Sequence, residues 1–264
     1  MKNLLEYSEH NTQKYKSMSS LVYIIGAGPG DAELITIKGL NCLKKCDVIF
    51  YDKSIKNILD THNIKSCELI EISETITENP LLLEEINKQI IAKAKEEKVV
   101  GVLQEGDPFI FGLGAEIARA AVEQKINFAV VPGITSAIAA AAYAGIPLTF
   151  RGYSSTIAFA TGHTDLNKKY TDIDWEKVAC GVATMVFFMG VGNLNMIVDT
   201  LIKNGRDPRT PIAIISCGTT NEQETLTSTL GEIIETTEKI DVKVPAIIVI
   251  GDVVGLRDDL NWFK

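Results

Sequence analysis

The chain has 264 residues, 46% of them hydrophobic and 23% charged, and a formal net charge of −8. That length and apolar content suit one large or two medium globular domains, and the negative balance argues against nucleic acid as a partner, because phosphate backbones are themselves anionic. No apolar run approaches the ~20 residues needed to cross a bilayer, so no membrane partner is expected. The five cysteines and three histidines are scattered without CxxC spacing, which argues against a metal site and for reduced thiols in the cytoplasm.

Residues 1–20 read as a polar N-terminal extension without the sustained apolar segment of a secretory signal. Leu21–Gly26 is an apolar run rich in β-branched residues and predicts a buried strand. A helix is expected over Leu34–Cys46 and a second strand over Asp47–Tyr51. Leu81–Glu97 carries Leu82, Ile86, Ile90 and Ala94 at four-residue spacing, which places them on one helical stripe. Val99–Leu103 reads as a strand, Gly114–Gln124 as a helix and Phe128–Val131 as a strand. This βαβα order implies a mostly parallel sheet covered on both faces.

Val131-Pro132-Gly133 interrupts the pattern. The domain boundary is placed there, with one α/β domain over 21–132 and a second over 133–264. Ser136–Ala144 is a helix of small residues, able to pack closely against backbone. Thr156–Thr161, Thr184–Met189, Ile212–Ser216, Thr225–Thr229 and Ala246–Gly251 are candidate strands, and Asn193–Asn204 is a helix ended by Gly205. No low-complexity segment or short-period repeat interrupts this order. The expected fold class is α/β, with two α/β domains, mostly parallel or mixed sheets, and a cleft between the domains.

Gly26-Ala27-Gly28-Pro29-Gly30-Asp31 closes the first strand. A dinucleotide fingerprint needs G-x-G-x-x-G opening directly into a helix. Here Asp31 stands at the third glycine position, and Pro29 removes a backbone donor that a pyrophosphate would use. An acidic residue at a helix start also repels phosphate. The turn therefore suits a neutral-to-cationic ligand lying against backbone, or else no ligand at all. Gly106-Asp107-Pro108 follows the Val99–Leu103 strand, and carboxyl ends of parallel strands are where such sheets bind ligands. Asp107 could accept from an ammonium or a ribose hydroxyl, or cap the following turn.

Three stretches in this order, GAGPGD, GDPFIFG and VPGITSAIAAAAYAGIPLT, resemble the tetrapyrrole (corrin/porphyrin) methylase superfamily, and within it the uroporphyrinogen-III C-methyltransferases. The likeness continues through Thr184–Leu194 and Val244–Phe263. It implies a homodimer of two-domain subunits that binds S-adenosylmethionine in the interdomain cleft and releases S-adenosylhomocysteine. By matching position, the cofactor contacts implied are Pro29, Glu105, Gly106, Asp107, Ile110, Thr135, Ser136, Met189, Gly218 and Ala246. Met189 alternatively reads as plain core packing. Asp52 is implied as the proton acceptor, since methylating a pyrrole carbon must end with a proton leaving. A solvated turn aspartate is the alternative for Asp52.

The acceptor side departs from the resembling pattern. Its expected basic and histidine positions fall on Glu74, Thr75 and Glu78, an RLKGGDP stretch reads Val102-Leu103-Gln104-Glu105-Gly106-Asp107-Pro108, an FGRG arginine is Leu113, and an LTHR histidine is Phe150. Arg151 remains as the anion partner and is assigned to the catalytic set with Asp52. The acceptor is expected to be a tetrapyrrole, or else a less anionic small molecule methylated on the same scaffold.

Overall fold

The computed structural model describes residues 20–64, 67–72, 80–162 and 173–263. The proposed N-terminal extension lies outside them, apart from Ser20. Residue contacts group the chain into two units, one running to Gly28 and resuming at Ala32–Ile134, the other made of Pro29–Asp31 and Thr135–Lys264.

The first unit runs β1 (Leu21–Gly26), α1 (Ile37–Leu43), β2 (Val48–Asp52), α2 (Lys56–Thr61), β3 (Glu68–Ile72), α3 (Pro80–Lys95), β4 (Val99–Gln104), α4 (Gly114–Glu123) and β5 (Asn127–Val131). Its five strands lie in the order β3-β2-β4-β1-β5, all parallel. Every residue of β1 is buried because both faces of the strand are covered. Leu21, Tyr23 and Ile25 pack with Leu43, Ile58 and Leu59 of α1 and α2. Val22 and Ile24 pack with Ile86, Ile90, Ala94 and Ile117 of α3 and α4. The expected helical stripe therefore does face the core.

Connections from β1 and β2 run over one face, and those from β3 and β4 run over the other. Neighbouring strands β1 and β4 thus send their outgoing loops to opposite sides. That is a topological switch point, which opens a crevice at the carboxyl ends of the two strands. The helix expected over Leu34–Cys46 is shorter. A 3-10 turn occupies Ala32–Leu34, and α1 starts only after Thr36, whose Oγ1 accepts from the Gly39 amide at 3.0 Å.

Three glycines close the crevice floor. Gly26 ends β1, while Gly106 and Gly133 follow β4 and β5. A Cβ on Gly26 would stand 2.7 Å from the Gly106 carbonyl oxygen, and one on Gly133 would stand 2.8 Å from the Gly26 carbonyl carbon while overlapping the Gly106 oxygen. Gly28 and Gly106 exchange backbone bonds, N–H to O, at 3.2 and 3.0 Å. Gly106 holds φ +62, a conformation that side chains oppose.

The second unit runs α5 (Ser136–Tyr143), β6 (Ile157–Thr161), α6 (Trp175–Gly181), β7 (Thr184–Phe188), α7 (Leu194–Lys203), β8 (Pro211–Ser216), β9 (Glu224–Thr229), α8 (Ile233–Thr237), β10 (Ala246–Ile250) and α9 (Arg257–Leu260). Its sheet is mixed, in the order β6-β7-β10-β8-β9, with only β6 and β7 parallel. Met185, Phe187, Ile248 and Ile250 face α6 and α7. Val186, Ala213, Ile215, Ile247 and Val249 face the alanines of α5. The small residues of α5 serve close approach, since a Cβ on Gly218 would overlap that of Ala140.

Gly133→Ala should lower unfolding free energy by about 3 kcal/mol, because no side chain can yield to the added methyl. Gly255→Ala adds a Cβ that meets nothing within 4 Å and should change stability by no more than about 1 kcal/mol. Urea denaturation of the two variants beside the parent measures both.

Candidate active site

The carboxyl edge of the first sheet forms a lateral row. Gln104 ends β4 in register with Gly26. Because Tyr51 pairs with Leu103, the next residue on each strand brings Asp52 beside Gln104. Asp52 and Gln104 therefore share the face that Phe50 and Val102 occupy one step inward. Asp52 Oδ1 accepts from the Ser54 amide at 2.8 Å and caps a one-turn 3-10 helix, which fixes the carboxylate at the strand end. Asp52 is thus a turn cap at the carboxyl end of the sheet.

Glu105 follows Gln104 and still reaches solvent. Desolvation by the surrounding protein, and secondarily the carboxylate of Asp52, push its pKa up. Asp107 spends both oxygens on backbone, Oδ1 on the Phe109 amide at 2.9 Å and Oδ2 on the Gly133 amide at 3.0 Å. It is a cap, the structural role of the two weighed for it, and it ties the β4 loop to the β5 loop. The turn it holds presents Phe109, Ile110 and Phe111 to solvent.

In the second unit, Met189 follows β7, Gly218 follows β8, and Ala246 opens the antiparallel β10, so all three lie at one end of the sheet. Met189 is 54% exposed with φ +52, so it is not core packing. Thr135 is buried at the start of α5 and its side chain makes no capping bond, and Ser136 opens that helix. Pro29 is held by Thr219, whose hydroxyl donates to the Pro29 carbonyl at 3.2 Å and accepts from the Asp31 amide at 3.0 Å. Tyr143 adds a bond from its hydroxyl to Asp31 Oδ2 at 3.1 Å.

Thr219 was invisible to sequence reasoning. Its only signal is the CGTT turn after a strand, and its burial at φ +69 emerges only in the fold. Arg151 lies exposed in the tight turn between Phe150 and Ser154. Leu113 packs against the first unit's core and Phe150 is largely exposed. Glu74, Thr75 and Glu78 lie outside the described residues.

The second unit also has an open pocket of about 550 Å³ lined by Cys180, Arg206, Asp207, Arg209 and Asp252, among others. It sits at the opposite end of the sheet from Met189 and Gly218, and none of the expected site residues lines it. Its Arg206 guanidinium is engaged by the carbonyls of Ala179, Val182 and Ala183 at 3.1, 2.7 and 2.8 Å, so it serves the fold.

Residues 21–234 match the family model of the Tetrapyrrole (Corrin/Porphyrin) Methylases. The chain belongs to that family. It is 44% identical over 234 residues to a uroporphyrinogen-III C-methyltransferase of Priestia megaterium, covering 89% of this chain and 98% of the relative. It is also 44% identical over 241 residues to an S-adenosyl-L-methionine-dependent uroporphyrinogen III methyltransferase of Methanosarcina barkeri, covering 91% and 94%. Among solved structures, a uroporphyrin-III C-methyltransferase of Thermus thermophilus complexed with S-adenosylhomocysteine superposes with a TM-score of 0.75 at 32% identity, covering 89% of this chain and 99% of that one.

Two measurements test this geometry. A raised carboxyl pKa means that the folded protein binds the Glu105 proton more tightly than the unfolded chain does. The stabilisation is complete below the ordinary glutamate range and is lost as pH rises through the folded value. Glu105→Gln stays neutral throughout, so its stability relative to the parent should increase between pH 4 and pH 7 in denaturant titrations. Thr219→Val keeps the shape but deletes both hydroxyl bonds, and should cost about 1–3 kcal/mol in the same assay.

Proposed function

We propose that this chain transfers methyl groups from S-adenosylmethionine to uroporphyrinogen III, acting as a cytoplasmic homodimer. The observation that carries the reading is the 44% identity to two methyltransferases named for that acceptor, each matched over about nine-tenths of this chain. The local chemistry fits the cofactor. Asp107 and the Asp52 carboxylate at the strand ends favour a cationic ligand over a phosphate.

The bound cofactor supplies an electrophilic methyl on a sulfonium. Asp52, held at the end of β2 by its bond to Ser54, accepts the proton that the methylated ring must lose. With the cofactor bound, its sulfonium would supply the methyl group and take back the bonding electrons as neutral sulfur, and the Asp52 carboxylate would hold the proton released by the ring. By matching position, we assign Pro29, Glu105, Gly106, Ile110, Thr135, Ser136, Met189, Gly218 and Ala246 to the cofactor. Asp107 serves from behind by fixing the Gly106 and Gly133 loops. Arg151 pairs with a carboxylate of the acceptor.

Purified protein given labelled S-adenosylmethionine and uroporphyrinogen III should return label in a coloured tetrapyrrole. Asp52→Asn should lower kcat at least about 100-fold while leaving the calorimetric affinity for S-adenosylhomocysteine unchanged. Absence of labelled tetrapyrrole with the parent protein, despite cofactor binding, would reject this acceptor.

A further inference from the structure

Gln104 carries an anomaly that the fold itself does not use. Its side chain is buried, 9% exposed, and its Oε1 has no hydrogen-bond partner among the described residues. Buried carbonyl oxygens are paired as a rule, since an unpaired one forfeits its water bonds without replacement. Nothing in the core demands a polar residue here, because the two positions inward on the same face of β4 are Val100 and Val102. Gly112 lies beside the oxygen, where an added Cβ would stand 3.1 Å from Oε1. The residue occupies the last row of the sheet, between Gly26 and Asp52.

We propose that Gln104 is an acceptor-specificity residue, whose Oε1 accepts a hydrogen bond from a pyrrole N–H of the tetrapyrrole and so sets the ring beside Asp52. The chemistry of the corner decides which part of the acceptor it takes. Gln104 Oε1, Asp52 and Glu105 are oxygen acceptors on adjacent strand ends, and the charge acting on Glu105 is that of Asp52, with no lysine or arginine offsetting it among the described residues. Such a corner repels carboxylates and attracts donors. A porphyrinogen carries its carboxylates on the periphery and N–H groups on all four rings toward the centre. The acceptor therefore turns its N–H side to Gln104 and its acid groups away.

This inference rests on the acceptor assigned above, and one set of assays separates the two. Gln104→Met keeps length and volume but removes the oxygen. It should raise KM for uroporphyrinogen III about tenfold, the loss of one neutral hydrogen bond, with kcat within about twofold and the affinity for S-adenosylhomocysteine unchanged. Its melting temperature should equal or exceed the parent's, because an unsatisfied buried oxygen has gone. Gln104→Leu repeats the test if the methionine variant misfolds. A parental KM in the folded variant, or a lowered melting temperature with KM unmoved, overturns the role and marks Gln104 as structural. Weakened S-adenosylhomocysteine binding also overturns it, by assigning the oxygen to the cofactor. Failure of the parent itself to methylate uroporphyrinogen III overturns both readings, whereas parental turnover with an unaffected variant overturns only this one.

Discussion

Everything at the carboxyl edge of the first sheet follows from backbone meeting backbone without side chains between. Gly26, Gly106 and Gly133 come from three different strand ends, and a methyl on Gly26 or on Gly133 would strike main-chain atoms of the other two. The approach is stabilised by polar bonds rather than by apolar contact, through the paired bonds of Gly28 with Gly106 and the Asp107 carboxylate on the Gly133 amide. A sheet edge built this way holds the β1, β4 and β5 loops rigidly together at the switch point, where open sheets of this kind bind ligands. The second unit uses the same device, with Gly251 against the Ala183 carbonyl oxygen and Gly218 against Ala140 of α5 among its close approaches.

Charge then decides what can enter. Two unit charges 4 Å apart interact by about 1 kcal/mol in water and about 4 kcal/mol at an effective dielectric near 20. Placing Asp52 and Glu105 on neighbouring strand ends therefore favours a sulfonium and opposes a carboxylate by several-fold to orders of magnitude in affinity. It also adds to desolvation, the larger cause, in pushing the Glu105 pKa up. The acid groups of a tetrapyrrole must find their counter-charges elsewhere, and Arg151, exposed on its turn, is placed in that role.

Much of this was readable from the chain. Strands buried on both faces announce themselves as continuous apolar, β-branched runs, so β1, β4 and the antiparallel β10 stand where the sequence places them, and the α3 stripe of Ile86, Ile90 and Ala94 faces the core. β3 was not read as a strand because it lies at a sheet edge with Glu68 and Glu71 in its five residues, leaving no apolar run to notice. The six-residue α2 is too short to display a helical period. The start of α1 was misplaced because the capping role of Thr36 depends on the 3-10 turn before it. Site residues divide the same way. Glycine spacing and strand-end position exposed Gly106 and Asp107, but Thr219 and Gln104 matter through what surrounds them. A two-way hydroxyl and an orphaned amide oxygen are properties of packing, with no signature along the chain.

Hydrogen–deuterium exchange with and without S-adenosylhomocysteine tests the central claim most directly, since it asks where the ligand shields backbone. The account predicts protection at 26–31, 104–110 and 133–137 and at the segments around Met189 and Gly218, with no change around Arg206 and Asp252. Protection centred on the Arg206 pocket, or saturating ligand with no slowed exchange at the glycine edge, would contradict it.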